Sequence, residues 1–309
     1  MEEIVVSSAP FIHSKNDVNK LFLYIALTLV FPSIFGIILF GISAFFMIVS
    51  SIVFCFGFEL LYNFFVSRKV YIKDISFLVT GLILALSLPN KTPIYVIFFC
   101  AFFATVVVKL AFGGLGRNYF NPALCARCLA GLMVPDMTAN LYKITIAGDE
   151  YTSLITGGTN TISNLLTGQA VGGLGTTCIV MILVIAVVLA YMKIIDIKIP
   201  IFAIISYLVT SILLTNFETG MMSVCSGSFV FVSVFMMTDP VSSPNTFLGT
   251  LIYSIGFGAL SAVAWKLGWL GENCIFVVAL VINLLVPFMD KYFVIKPTSL
   301  GGFRYAHKD

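Results

Sequence analysis

The apolar residues of this chain fall in runs of about 20 that recur along most of its length, parted by short polar breaks. An α-helix of that length matches the hydrocarbon core of a bilayer, so the pattern predicts a polytopic helical membrane protein. A membrane β-barrel would show short strands of alternating character instead. The runs predict ten spans, near 21–40, 42–66, 75–89, 94–112, 121–135, 173–193, 199–215, 221–238, 247–265 and 274–290. The third and fifth are short for a crossing. Short or Gly/Pro-interrupted segments point to discontinuous helices that face a site rather than lipid.

The pattern also repeats. Phe77-Leu78-Val79-Thr80-Gly81 leads to Leu88-Pro89-Asn90-Lys91-Thr92-Pro93 and then a span. Gly227-Ser228-Phe229-Val230 leads to Thr238-Asp239-Pro240-Val241-Ser242-Ser243-Pro244 and then a span. Five spans per half is odd, so two such halves have opposite topology, and that architecture places a binding site between them. Basic residues set the orientation. Arg68, Lys69 and Lys73 fall in one loop, Lys193 and Lys198 flank another, and Lys291, Lys296, Arg304 and Lys308 fall in the C-terminal tail. With the N-terminus inside, all three lie on the cytoplasmic face, and the long loop 136–172 lies outside with Asp136, Asp149 and Glu150 against Lys143. The chain therefore reads as one membrane domain, 1–309. It comprises a cytoplasmic tail 1–20, a first half 21–135, the external loop 136–172, a second half 173–290 and a cytoplasmic tail 291–309.

Composition agrees with this picture. Of the 309 residues, 60% are hydrophobic and 10% charged, too few charges for a solvated surface, and mean hydropathy is +1.07. A net charge of +3 with no basic tail gives no reason to expect nucleic acid. The first twenty residues, acidic at Glu2 and Glu3, read as a tail rather than a cleavable signal. Seven cysteines sit mostly inside apolar runs and read as small hydrophobes, not a disulfide framework.

Candidate chemistry is confined to a few blocks. Gly113-Gly114-Leu115-Gly116-Arg117-Asn118-Tyr119-Phe120-Asn121-Pro122-Ala123 joins the fourth and fifth spans. Its glycines permit positive φ, and Asn121-Pro122 suits a helix start, with Asn as cap and Pro in the first turn. Such an end, deep in a membrane, can hold an anionic oxygen, line a pore, or simply be a re-entrant turn. Asp239 puts a carboxylate at a span end, where it either caps the next helix or binds a cofactor hydroxyl or a cation. Cys125-Ala126-Arg127-Cys128 has no second pair at zinc spacing and no histidine nearby, so it reads as structural. Gly172-Gly173-Leu174-Gly175 enters the sixth span and lacks the strand that precedes a phosphate loop. The external loop carries Thr156-Gly157-Gly158-Thr159, a hydroxyl presented by small residues, which is either an ordinary turn or an attachment point for a covalent group. There is no Walker loop, histidine-rich metal set or Ser/His/Asp order, so any redox chemistry must come from a bound cofactor.

Together these blocks resemble a known family. The chain is similar to the D subunits of Rnf complexes, membrane-bound ferredoxin:NAD oxidoreductases that translocate Na⁺ or H⁺. It is related more distantly to the B subunits of Na⁺-translocating NADH:quinone reductases. The resemblance rests on Ser7-Ser8-Ala9-Pro10-Phe11-Ile12, Thr80-Gly81, Leu86-Ser87-Leu88-Pro89, the block Gly113 to Ala123, Thr238 to Pro244, and Asn283 with Pro287 and Asp290. It implies FMN joined by a phosphoester to a threonine, which corresponds to Thr159, with Thr156 as the alternative. Gly158 stands where the family usually has Ala, and Ser153 where the recognition motif of the flavin transferase usually begins with Asp. The resemblance also implies a urea-transporter-like fold of two inverted five-helix halves, and a second, non-covalent riboflavin for which the turns at Asn121 and Asp239 are candidate places.

The expectation is thus a subunit in a bacterial or archaeal cytoplasmic membrane that relays electrons, works with other membrane and peripheral Rnf subunits, and is matured by a flavin transferase. It has no complete activity alone. Two rivals follow from the same sequence: a flavin-free solute channel on this fold, and a purely structural scaffold.

Overall fold

The computed structural model describes residues 18–67, 74–90, 92–135, 145–146, 149–150, 172–225, 228–271 and 273–293. These are helical apart from loops and a small antiparallel ladder in which β1 (Thr145–Ile146) pairs with β2 (Asp149–Glu150).

Helix α1 (Val18–Phe40) buries Phe22, Ile25, Ala26, Leu29, Ser33 and Gly36, a single stripe at helical spacing. Leu23, Leu27, Phe31, Ile34 and Ile38 remain exposed on its other faces, as apolar side chains do when they face lipid. Gly41, at φ 73°, turns the chain straight into α2 (Ile42–Tyr62), which runs on as a π-helical turn, Asn63–Ser67.

Helix α3 (Ser76–Ser87) has 12 residues and is buried along nearly all of them. At 1.5 Å per residue it spans about 18 Å, too short for a bilayer core of about 30 Å. It packs against the longer α1 and α2. Ser51 Oγ donates to the Gly81 carbonyl at 2.8 Å, and a Cβ at Gly81 would come within 3.0 Å of the Ile52 backbone. A turn at Leu88–Pro93 leads to α4 (Ile94–Phe102), which continues as a π segment, Phe103–Leu110. Then comes α5 (Pro122–Met133).

The second part begins with Gly172–Cys178, α6 (Ile179–Tyr191) and α7 (Lys198–Leu214). It continues with α8 (Phe217–Val224), α9 (Ser228–Phe231) running into the π segment Val232–Met236, and α10 (Phe247–Lys266). It closes with α11 (Asn273–Leu284) and α12 (Val286–Tyr292).

Three expected spans change shape. The sixth starts at Ile179, not 173, because Gly172–Gly175 stays non-helical: Leu174 N–H donates to Leu88 O at 3.0 Å and Gly175 N–H to Leu86 O at 2.8 Å, serving free carbonyls at the end of α3. The eighth is two pieces, α8 and α9, with Ser226 and Gly227 in the sequence between them. The tenth breaks at Leu285, because Pro287 suits the first turn of a new helix and not a helix interior.

Among the described residues, four helical segments are long and apolar enough to cross a membrane: Val18–Phe40, Ile42–Val66, Phe247–Lys266 and Asn273–Tyr292. Shorter apolar helices, such as Ile94–Leu110 and Lys198–Leu214, pack among them.

The closest of these packings sets α10 against α7. A Cβ at Gly258 would meet Ala203 O, come within 2.8 Å of Tyr207 N and touch Ser206 Cβ at 3.0 Å. Small residues permit such backbone approach between helices in lipid. Gly258→Val is expected to destabilise the protein by about 1–3 kcal/mol, the usual cost of overpacking. A thermal or denaturant midpoint in detergent that stays at the parent value would refute this.

Candidate functional site

The loop after α4 is shaped by Gly113, Gly114 and Gly116, at φ 106°, 92° and 86°, values at which a side chain would be strained. It delivers Asn121 to the start of α5 as an N-cap. Its Oδ1 accepts from Ala123 N at 3.0 Å and Leu124 N at 3.3 Å, and Pro122 sits in the first turn. The cap expected from the sequence is therefore present. The same side chain also reaches across the molecule: Asn121 Nδ2 donates to Met236 O at 3.0 Å, satisfying the end of the π segment after α9.

That contact brings Asn121 and the Asp239 turn together. Asp239 does not cap the next helix, as one sequence reading had it. α10 begins eight residues later and is capped by Thr246, whose Oγ1 accepts from Gly249 N. The Asp239 carboxylate instead closes its own turn by accepting from Ser242 Oγ at 2.9 Å. Asn283 of α11 holds that turn from behind, donating to Ser242 O at 3.1 Å.

Between these turns lies a narrow crevice. Its apolar walls are Phe22 and Ile25 of α1, Val79 and Ile83 of α3, Leu189 and Phe235. Its polar lining is Ser76, Thr80, Lys109, Asn118, Asn121, Thr238 and Asp239. Thr238 is occupied with its own helix, donating to Val234 O. Asn118 is different. Its Nδ2 donates to Phe120 O at 2.8 Å, which fixes the amide, and its buried Oδ1 accepts nothing. A buried acceptor left unpaired costs about 1–3 kcal/mol, so a ligand with a donor would be stabilised there.

Beside the crevice is a charged cluster. The π segment places Lys109 so that its Nζ donates to Glu59 Oε2 at 2.9 Å, Asp74 Oδ1 at 3.0 Å and Ser76 Oγ at 2.6 Å. Lys109 and Glu59 are each 2% exposed. Asp74 precedes α3. Burial pushes its carboxyl up, but the Lys109 ammonium and the bonds from Ser76 outweigh this and hold it below the ordinary carboxylate range. Glu59 falls within an expected span, 42–66, and the sequence reading missed its partner. A lysine inside an apolar run, at 109, was the available signal.

At the other end of α3, Arg127 is 1% exposed. Its Nε donates to Ser87 O at 2.9 Å, its Nη1 to Asn273 Oδ1 at 2.9 Å, and its guanidinium lies 4.2 Å from the centre of the Phe276 ring. The flanking Cys125 and Cys128 are free thiols, and no group of metal-ligating side chains occurs among the described residues. Thr156, Gly157, Gly158 and Thr159 lie outside the described residues, so the structure does not place them beside the crevice or apart from it.

A family model described as the NQR2, RnfD, RnfE family matches residues 5–299. The chain belongs to that family.

Relatives within the NQR2, RnfD, RnfE family align along almost the whole chain. The chain is 27% identical to the D subunit of the proton-translocating ferredoxin:NAD(+) oxidoreductase complex of Clostridium ljungdahlii, covering 97% of this chain and 96% of the relative. It is 27% identical to the D subunit of the Na(+)-translocating ferredoxin:NAD(+) oxidoreductase complex of Acetobacterium woodii, covering 94% and 93%. Against the B subunit of the Na(+)-translocating NADH-quinone reductase of Chromohalobacter salexigens it is 29% identical, but covers 58% of that longer chain. Both turns that frame the crevice and the cluster around Lys109 fall inside the matched residues.

Proposed function

We propose that this protein is the membrane electron-transfer subunit of an Rnf-type, ion-translocating ferredoxin:NAD oxidoreductase, carrying covalent FMN at Thr159 and riboflavin in the crevice. The family match over residues 5–299, together with Thr156-Gly157-Gly158-Thr159 in the polar loop, carries the reading. Catalysis belongs to the assembly, a redox-driven translocase in a bacterial or archaeal cytoplasmic membrane. Its other membrane and peripheral subunits are this chain's partners, and a flavin transferase matures it.

Ten spans in two inverted halves suit the contacts. Asn121, opening α5, serves the end of the π segment after α9. Asn273, opening α11, serves the end of α3 through Arg127. Each fifth span thus finishes the broken third span's end, once directly between halves and once by way of Arg127, at opposite ends of the bundle. By the basic-residue bias the crevice faces the cytoplasm and the polar loop faces outside.

The chemistry of the crevice lining suits the edge of a flavin ring. Apolar walls exclude water, and Asn118 Oδ1 would accept from a ring N–H. A flavin bound there supplies reversible one-electron chemistry. Helix α3 ties the two ends of the relay together. Thr80 lines the crevice, and Leu88, eight residues on, holds Leu174 just after the polar loop, a rise of about 12 Å.

The test is peptide mass spectrometry and flavin extraction on the chain purified with its transferase. An FMN adduct in the polar loop and riboflavin released on denaturation are expected. A chain holding neither flavin would sink the proposal and favour the channel. Asn118→Leu, which removes the free acceptor, is expected to weaken riboflavin retention about fivefold, the worth of a lost hydrogen bond. Unchanged affinity in equilibrium dialysis would remove Asn118 from the site.

A further inference from the structure

The crevice is poor in uncommitted hydrogen-bond donors. Each side-chain nitrogen in its lining already donates to the protein: Lys109 Nζ to Glu59, Asp74 and Ser76, Asn118 Nδ2 to Phe120 O, and Asn121 Nδ2 to Met236 O. The Thr238 hydroxyl donates to Val234 O, and Ser76 Oγ donates to Asp74. Thr80 adds a hydroxyl to the α3 wall but no charge. The helix start that opens on the crevice is closed to anions as well. Pro122 has no N–H, and the N–H groups of Ala123 and Leu124 are taken by Asn121 Oδ1.

Acceptors, by contrast, are left over. Asn118 Oδ1 is buried and unpaired on the loop that leads into α5. Asp239 stands on the other turn, and its carboxylate is fixed from within that turn by Ser242 Oγ and by the N–H groups of Val241 and Ser242. A carboxylate offers about four lone-pair sites, so one further donor can be accepted. Among the described residues that line the crevice, Asp239 is the single anion, and the single cation, Lys109, is already held between two carboxylates. Arg117 is exposed on the same loop as Asn118, lies against Gly113 and is not part of the lining. An anionic group entering the crevice therefore meets like charge and no uncommitted ammonium.

We propose that Asp239 sets the class of ligand the crevice takes: its carboxylate accepts from a hydroxyl of an uncharged polyol tail and turns away a phosphorylated one. The inference rests on the flavin reading of the crevice. The N–H of the ring edge goes to Asn118 Oδ1 and the ribityl chain to the Asp239 turn, two contacts from two separate loops. A carboxylate distinguishes hydroxyl from phosphate in the same way where it holds the ribose of a dinucleotide, because it accepts from the one and repels the other. The polar loop and the crevice then make opposite demands on a flavin. A phosphoester in the loop requires the phosphate, and the crevice excludes it, so the two flavins cannot exchange places.

The experiment is equilibrium dialysis of the full chain, made without its flavin transferase so that no flavin is attached to the polar loop. The probes are riboflavin, FMN and lumiflavin, which is the ring without the ribityl chain. Titrations run above neutral pH, where carboxylate and phosphate are both ionised. The parent is expected to bind riboflavin about 100-fold more tightly than FMN, the scale of like charges brought together in a desolvated site. Asp239→Asn keeps the shape and an acceptor oxygen, and is expected to cut that preference about tenfold, chiefly by tightening FMN. Asp239→Ala is expected to weaken riboflavin about fivefold and leave lumiflavin unchanged, so lumiflavin also reports that the variant is folded. The parent ratio needs no variant and stays decisive if one fails to fold. FMN bound as tightly as riboflavin by the parent, or a preference that Asp239→Asn leaves intact, would overturn the inference while the flavin site stands. Loss of lumiflavin together with riboflavin in a folded Asp239→Ala chain would overturn it too, since Asp239 would then only shape its turn. A parent that binds none of these probes would overturn both the inference and the flavin reading.

Discussion

Thr159→Ala is expected to leave the polar loop without covalent FMN. A phosphoester needs a hydroxyl, and alanine offers none, so the effect on loading is complete rather than graded. The matched segment is Thr156-Gly157-Gly158-Thr159, in which two glycines separate two candidate hydroxyls. Small residues there leave room for a transferase to bring a flavin phosphate to the loop. Thr156→Ala is expected to keep the adduct, and Thr159→Ser to retain it at lower yield. Gly158→Ala restores the residue the family usually carries and is expected to load at least as well. Peptide mass spectrometry after proteolysis reads each outcome directly. An adduct that survives Thr159→Ala but is lost in Thr156→Ala would move the attachment site by three residues and keep the function. Electron transfer through the assembled complex is expected to stop with the adduct, whereas a scaffold role would leave it unchanged.

The apolar runs foretold the long helices because a bilayer imposes length and all-round apolarity, and both are visible in composition. Val18–Phe40 and Phe247–Lys266 emerged within a few residues of the expected spans. Local chemistry was equally legible where it depends on neighbours in sequence. Asn121-Pro122 announced an N-cap and the structure contains it. What the sequence hid was anything decided by distant partners. Gly172–Gly175 looked like the first turn of a span, but its N–H groups are claimed by carbonyls of α3. Asp239 read either as a cap or as a binding carboxylate; Ser242 claims it and Thr246 does the capping. The salt-bridged cluster needed three segments to meet, from residues 59, 74 and 109, and no local pattern encodes that meeting. The meeting of the Asn121 and Asp239 turns at one crevice was anticipated from the repeated halves and from the family resemblance, not from any local pattern.

Arg127→Met is expected to destabilise the membrane domain by about 2–4 kcal/mol. Two acceptors lose their donor: Ser87 O at the end of α3, and Asn273 Oδ1 at the start of α11. Each buried acceptor left unpaired costs about 1–3 kcal/mol. The guanidinium also gives up its place over Phe276, worth up to about 2 kcal/mol in a desolvated setting. Against these losses, methionine no longer buries a charge, which returns part of the cost. Arg127→Lys keeps the charge but cannot serve both acceptors with one planar fork, so it is expected to recover only part of the loss. A double-mutant cycle with Asn273→Ala isolates the bond between the two parts of the chain, and its coupling is expected to be about 1 kcal/mol or more. Arg127 meets α3 at the end opposite the crevice, where Ser76, Val79 and Thr80 line the wall. Riboflavin affinity measured well below the new unfolding midpoint is therefore expected to stay within about twofold of the parent, a difference under about 0.5 kcal/mol. A large loss of affinity without a loss of stability would mean that Arg127 acts on the crevice itself rather than on the joint that holds α3, α5 and α11 together.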